Sequence, residues 1–346
     1  MKFIGMDAHS RTCTFVVLGK RGRVLERKTI TTHENEIVRY VRTIKGSKML
    51  TFEEGSMSHW LYLTLKDEVD ELVVCQPPRK KGGAKTDKID AFEMADLMRV
   101  GRLKSVFHED SQLQDLRVLV SGYGDLMQDI VRAKNRYKAL FRQVAIPNDE
   151  SGFYDSVEKV LLLPTSEQRF VAGGLYDRLM VLGQLHGEYL ARFEANVRKH
   201  KPVKLLTSIP GIGAVRANQL VGVMVTPYRF PNKYHFFSYA MLTPHTRMSD
   251  GRPYGKNRAQ GQTTLKAVFK SATESATRGD TAFRRKYETM IAAGKPHKTA
   301  RSAVTKMLAA TVLGVWKSGR KYDDKHMEVT RRRKRCCHSG TESLRV

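Results

Sequence analysis

The chain has 346 residues, with 61 lysines and arginines against 35 acids, a formal charge of +26 that draws it to polyanions at physiological salt. Its 41% apolar content is enough for real cores, yet no apolar run approaches the roughly 18–20 residues that span a bilayer, and the start shows no signal-peptide pattern, so a cytosolic protein without membrane partners is expected. Four scattered cysteines lack the paired C-x-x-C spacing of structural zinc and the framework of a secreted mini-protein, and Cys336-Cys337-His338 has no second pair to complete a metal set.

Residues 1 to about 108 alternate strand and helix patterns. An apolar strand, Phe3-Ile4-Gly5-Met6, ends at Asp7. The segments Cys13 to Leu18 and Val24 to Ile30 continue it as a β-meander that turns at Gly19 and Gly22. Thr32 is the expected N-cap of a helix carrying Ile37, Val38 and Val41. A strand, Met49 to Phe52, then leads to Glu53, and Trp60-Leu61-Tyr62-Leu63 sits on the helix that follows. Leu72 to Cys75 reads as a short buried strand closed by Pro77-Pro78, and Asp87 and Asp90 lie at the start of a further helix. The order βββαβαβα is the ribonuclease H-like plan.

Asp87 and Asp90 are three residues apart on a helix and share one face. With Asp7 and Glu53 at strand ends they make four carboxylates that would repel one another unless divalent cations neutralised them. Each acid alone has a simpler reading as a cap or a strand-end residue. Together they point to a magnesium site, with manganese as the alternative ion, that cuts or joins phosphodiesters.

Between 109 and 145, Leu113, Leu116, Val120, Tyr123, Met127, Ile130, Tyr137, Leu140 or Phe141, and Val144 recur at steps of three and four, interrupted only by Lys134, predicting a long helix. Leu175, Leu179, Leu182, Leu185, Tyr189, Phe193 and Val197 predict a second, with Pro147, Pro164 and Gly173-Gly174 breaking the segment between. An intramolecular hairpin and a coiled coil across a dimer are both compatible with these stripes. Arg132, Lys134, Arg136, Lys138 and Arg142 make part of the first helix basic, either a solvated face or a contact for nucleic-acid backbone; Arg79, Lys80 and Lys81 form a second basic run of the same kind. After Pro202, Ile209-Pro210-Gly211-Ile212-Gly213 before an apolar helix reads as a helix-hairpin-helix. Gly211 and Gly213 turn the chain there, and the next helix offers its first N–H groups to a phosphate.

The set Gly5-Met6-Asp7, Phe52-Glu53, Lys85-Thr86-Asp87-Lys88-Ile89-Asp90-Ala91, Ile209-Pro210-Gly211-Ile212-Gly213 and Tyr239-Ala240-Met241-Leu242-Thr243-Pro244 resembles the DEDD insertion-sequence transposases. That family is related to Piv-type DNA invertases and includes the bridge-RNA-guided recombinases. The resemblance covers nearly the whole chain. It implies an α/β plus α protein: a RuvC-like, ribonuclease H-like acidic domain (1–108), a helical coiled-coil segment (109–200) and a mainly helical serine-bearing transposase domain with the helix-hairpin-helix (201–325); the charge run Arg331 to Arg335 reads as part of a basic disordered tail (326–346).

The resemblance further implies that Asp7, Glu53, Asp87 and Asp90 hold the metal, and that Ser249, the only serine shortly beyond Leu242-Thr243-Pro244, is a nucleophile. Read without the family, a serine before Asp250-Gly251 is first a turn residue. Around it, Arg247, Arg252, Lys256 and Arg258 suit a scissile phosphate. The family usually has Glu-Ala-Thr-Gly or Glu-Ala-Ser-Gly where this chain has Glu53-Glu54-Gly55-Ser56, which makes Glu54 the alternative second acid. The implied partners are donor and target DNA, a structured guide RNA and further copies of the chain, as a dimer or tetramer. A RuvC-like junction endonuclease that uses water and a non-catalytic nucleic-acid-binding protein are the alternatives.

Overall fold

The computed structural model describes residues 1–76, 87–109, 113–150, 152–257 and 261–324, with the backbone alone at 114, 245, 247, 256 and 257. Arg79, Lys80, Lys81, Arg258, the Pro77-Pro78 stop, the basic tail and Cys336-Cys337-His338 lie outside the described residues. The chain divides into two compact units, Met1–Asp110 and Ser111–Val346.

The first unit is built on a five-stranded sheet: β1 (Lys2–Ala8), β2 (Thr12–Leu18), β3 (Val24–Thr31), β4 (Lys48–Glu53) and β5 (Glu71–Cys75), with α1 (Glu34–Thr43), α2 (Ser58–Leu65) and α3 (Asp87–Arg99). Its spatial order is β3-β2-β1-β4-β5. β1, β2 and β3 pair antiparallel, as the expected meander, whereas β4 runs parallel to both β1 and β5. A five-stranded mixed sheet in this order is consistent with a ribonuclease H-like domain.

Strand alternation divides the side chains between two cores. Ile4, Met6, Phe15, Val17, Leu50, Phe52 and Val74 pack with Ile37, Val41, Leu61 and Leu65 of α1 and α2. Phe3, Val16 and Leu18 pack on the opposite face with Ala91, Ala95 and Met98 of α3.

Gly5 is where α3 meets the sheet. A β-carbon at this residue would stand 1.9 Å from the carbonyl oxygen of Ala91 and 2.9 Å from the backbone nitrogen of Ala95, so only glycine opposite two alanines permits the crossing. The helix runs against the strand, with Phe3 packed in the same cluster as Met98. Two residues along β1 from Gly5 advance about 6.6 Å to Asp7, and four residues back along α3 from Ala91 retreat about 6 Å to Asp87. The crossing at Gly5 therefore sets the two aspartates over one another.

One expectation fails in this unit. The N-cap of α1 is His33 rather than Thr32. The Thr32 hydroxyl donates instead to the His9 carbonyl at 2.6 Å and lies 3.3 Å from the Cys13 thiol, so it ties the turn after β1 to the end of β3.

In the second unit, α4 (Gln114–Gln143) and α5 (Ser166–Lys199) form an antiparallel hairpin. Its pairing is fixed by rings: Tyr123 lies 5.1 Å from Phe193, and Tyr137 lies 6.4 Å from Tyr176. The intramolecular pairing of the two stripes is thus realised. Gly173-Gly174 do not break the second helix. α5 begins at a capping box, in which Thr165 and Gln168 satisfy one another's backbone N–H groups, and runs straight through both glycines. Each costs roughly 1 kcal/mol relative to alanine, offset by burial of Ala172, Leu179 and Leu182 against α4. Lys134 and Lys138 lie over the Tyr154 ring at 4.8 and 5.6 Å, whereas Arg132 and Arg136 are exposed.

The remaining elements are α6 (Lys201–Leu206), α7 (Ala214–Met224), α8 (Lys233–Tyr239), β6 (His245–Ser249), β7 (Arg252–Asn257), α9 (Thr263–Ala276), α10 (Ala282–Ala292) and α11 (His297–Ser318). One core gathers Leu206, Leu220, Phe236, Phe269, Phe283 and Val312, together with Leu116 from the base of the hairpin. Among the described residues no helix is long and apolar enough to cross a membrane.

Candidate functional site

Asp7 and Glu53 occupy the carboxyl ends of adjacent parallel strands. The register pairs Met6 with Phe52, so the two acids are next neighbours across the ladder. Alternation puts both on the face covered by α3, because Met6 and Phe52 fill the core on the other side. Glu54 belongs to that other side. Its carboxylate lies 2.5 Å from Nε2 of His108, and the His108 ring packs on Tyr62 of α2 at 5.5 Å.

The amino-terminal turn of α3 brings Asp87 and Asp90 to the same edge. The Asp7 carboxyl is held above the usual aspartate range: burial is the largest cause, the charges of Asp87 and Asp90 push the same way, and His9 pulls back. Asp87 is half exposed, whereas Asp7 has only 15% of its side chain in contact with solvent.

The ligand atoms of Asp7, His9 and Asp87 all lie within 4.8 Å of one another. Nε2 of His9 stands 3.5 Å from Oδ2 of Asp7 and 3.6 Å from Oδ1 of Asp87. Clustered carboxylate oxygens whose mutual repulsion is already felt at Asp7 suit a hard divalent cation. His9 is absent from the four-acid pattern, yet its signal was present in the sequence: it follows Asp7 by two residues, the spacing that returns a strand to the same face.

In the second unit Ser249 is the last residue of β6, exposed, and paired across the hairpin with Arg252 of β7. Asp250 and Gly251 between them have φ values of 48° and 69°, the two left-handed residues of a tight hairpin turn. The turn expected at Asp250-Gly251 is present, and the two strands that flank it are an addition to a domain expected to be mainly helical. Arg252 is exposed beside Ser249; for Arg247 and Lys256 only the strand positions are described.

α6 and α7 flank the turn Ile209 to Gly213, the arrangement expected of a helix-hairpin-helix. Gly211 has φ +83°, and a β-carbon there would lie 2.4 Å from the Ala272 carbonyl oxygen of α9. Arg216 fastens the turn by donating to the Gly211 carbonyl and to the hydroxyls of Ser271 and Ser275. Gly213 is the N-cap of α7 and has open space around its Cα.

Strand-end carboxylates facing a helix of further acids, on a chain this basic, suit a protein that processes nucleic acid. Known sequences place it more closely. Residues 4–146 match the DEDD transposase profile of IS110 elements, and residues 203–288 match the profile described as the transposase IS116/IS110/IS902 family. A relative from Streptomyces coelicolor, the uncharacterized 43.6 kDa protein of insertion element IS110, is 24% identical over 298 residues, which cover 70% of this chain and 73% of the relative. The chain belongs to the IS110 family of insertion-sequence transposases, and with the family come DNA transposition and recombination.

Proposed function

We propose that this transposase cuts and rejoins DNA by serine attack, with Ser249 as the nucleophile and Asp7, Glu53, Asp87 and Asp90 as a RuvC-like magnesium site, for which manganese can substitute. The observation that carries the reading is the placement of Asp7 and Glu53 at neighbouring strand ends on the face where α3 presents Asp87 and Asp90. That same alternation favours Glu53 over Glu54 as the second acid.

In the reaction, Ser249 Oγ forms a bond to the scissile phosphorus while the bond from phosphorus to a deoxyribose oxygen breaks. The serine proton passes to a base and the leaving oxygen takes up a proton. The bond energy is kept in the phosphoserine ester, so rejoining by reversal needs no ATP. Arg252 beside Ser249, with Arg247, Lys256 and Arg258 from the same segment, neutralises the charge that grows on the phosphate. The acids would hold a divalent ion, which when bound stabilises developing negative charge on oxygen.

Donor and target DNA are the substrates. Gly211 and Gly213 at the start of α7, together with Arg132, Arg136, Arg79, Lys80 and Lys81, provide backbone contacts that do not read sequence. Sequence choice falls to a structured guide RNA, and the working particle is a dimer or tetramer of this chain in the cytoplasm.

The deciding experiment is denaturing electrophoresis of protein trapped on a suicide DNA substrate. Wild type gives a covalent adduct, and Ser249→Ala gives none while binding DNA within about twofold of wild type, because one exposed hydroxyl is all that is lost. Cleavage without an adduct in wild type would assign the reaction to water and make the protein a junction nuclease.

A further inference from the structure

We propose that His9 is a direct ligand of the ion at this site, making it a mixed nitrogen and oxygen centre rather than one of carboxylates alone. The inference rests on the reading of Asp7 and Asp87 as metal ligands given above.

Nε2 of His9 is nearly equidistant from the two carboxylates, 3.5 Å from Asp7 and 3.6 Å from Asp87. Both separations exceed the 2.7–3.2 Å of a good N–H···O hydrogen bond. An imidazole that served only to bond one carboxylate would close on it. Donors about 2.1 Å from a shared ion stand about 3.0 Å apart at right angles and about 3.4 Å apart at the tetrahedral angle. Small side-chain rotations bring the observed triangle to that size.

The position of His9 is also fixed from behind. Its N–H donates to the Thr12 carbonyl at 2.9 Å, and its carbonyl accepts the Thr32 hydroxyl at 2.6 Å. These bonds fix the backbone that carries the ring at the carboxyl end of β1, so only the side chain, and not a loose loop, has to be ordered when the ion arrives.

The chemical consequence is a change of preference. Carboxylate oxygens suit magnesium and calcium, whereas an imidazole nitrogen raises affinity for manganese, cobalt and zinc relative to magnesium. Such a centre binds manganese more tightly than magnesium, by a margin that depends on the ring.

The test uses the full chain without nucleic acid and Mn2+ as the probe. Electron spin echo spectroscopy of the bound ion reads directly whether a nitrogen is attached. The expected result is nitrogen coupling in wild type that becomes a 15N signal when the protein is grown with [15N]histidine, disappears in His9→Gln, and is accompanied there by at least about tenfold weaker Mn2+ binding in calorimetry. His9 is more than half exposed, so the variant retains the fold. Tight Mn2+ binding that requires Asp7 and Asp87 but shows no nitrogen coupling would overturn the role of His9 and leave the carboxylate site standing. Coupling that survives in His9→Gln would also overturn it. Failure of wild type to bind Mn2+ at all would overturn the metal site itself.

Discussion

Asp7 shows at the scale of one residue how function works against stability. Burial and the neighbouring charges of Asp87 and Asp90 raise its carboxyl above the ordinary aspartate range. A carboxyl whose folded value is raised contributes stability below its unfolded value and loses it as pH climbs through the folded one, so at neutral pH the ionised Asp7 is a liability in the metal-free protein. Asp7→Asn is expected to raise the melting temperature of metal-free protein at pH 7 and to leave it unchanged near pH 3, while abolishing recombination. Thermal melts at the two pH values with chelator check this; a variant less stable than wild type at neutral pH would mean that Asp7 is a structural residue. Ser249 stands at the opposite extreme, exposed at the end of β6, where only chemistry can suffer from its removal.

The crossing of β1 and α3 is the decisive contact among the elements. Gly5→Ala drives a methyl into the Ala91 carbonyl and should destabilise the first unit by about 3 kcal/mol. Gly19→Ala, where the added carbon meets only the end of Leu25 at 3.6 Å, should change stability by less than about 0.5 kcal/mol. Urea unfolding followed by Trp60 fluorescence in a Trp316→Phe background isolates this unit, because these are the two tryptophans of the chain.

The hairpin before α7 offers a similar pair. Gly211→Ala is expected to cost about 2–4 kcal/mol from its positive φ and from the clash with α9. Gly213→Glu meets open space and should fold normally, yet lower DNA affinity several-fold by placing a negative charge at the first amides of α7. Urea unfolding together with filter binding of both variants separates the loss of packing at Gly211 from the loss of a phosphate contact at Gly213. Unchanged affinity in Gly213→Glu would remove this hairpin from the DNA contact.

For the whole molecule, the chemistry is divided. The acids belong to the unit Met1–Asp110 and Ser249 to the unit Ser111–Val346. If a working centre joins the acids of one copy to the serine of another, mixing Asp87→Asn protein with Ser249→Ala protein should restore up to about a quarter of wild-type recombination, since a hybrid assembly contains one centre with both halves intact. Mixtures that exchange subunits and stay inactive would require each chain to complete its own site. The +26 charge adds a second expectation at this scale, a steep fall of DNA affinity with salt, set by the number of phosphates contacted.

The sequence by itself determined the element order of the first unit, the strand ends at Asp7 and Glu53, the helix start at Asp87 and the two apolar stripes of the hairpin, because alternation and helical periodicity are local and survive translation into structure. Even Gly5 and Gly211 were visible as residues, though not as the points where α3 and α9 touch. Tertiary structure alone decided those contacts, the replacement of Thr32 by His33 as the α1 cap, the continuity of α5 through Gly173-Gly174, the pairing of Glu54 with His108, and the approach of His9 to Asp87. Each depends on a partner far away in the chain: a carbonyl that claims a hydroxyl, a core that outweighs a glycine, a helix that crosses a strand at one residue. No local pattern records who that partner will be.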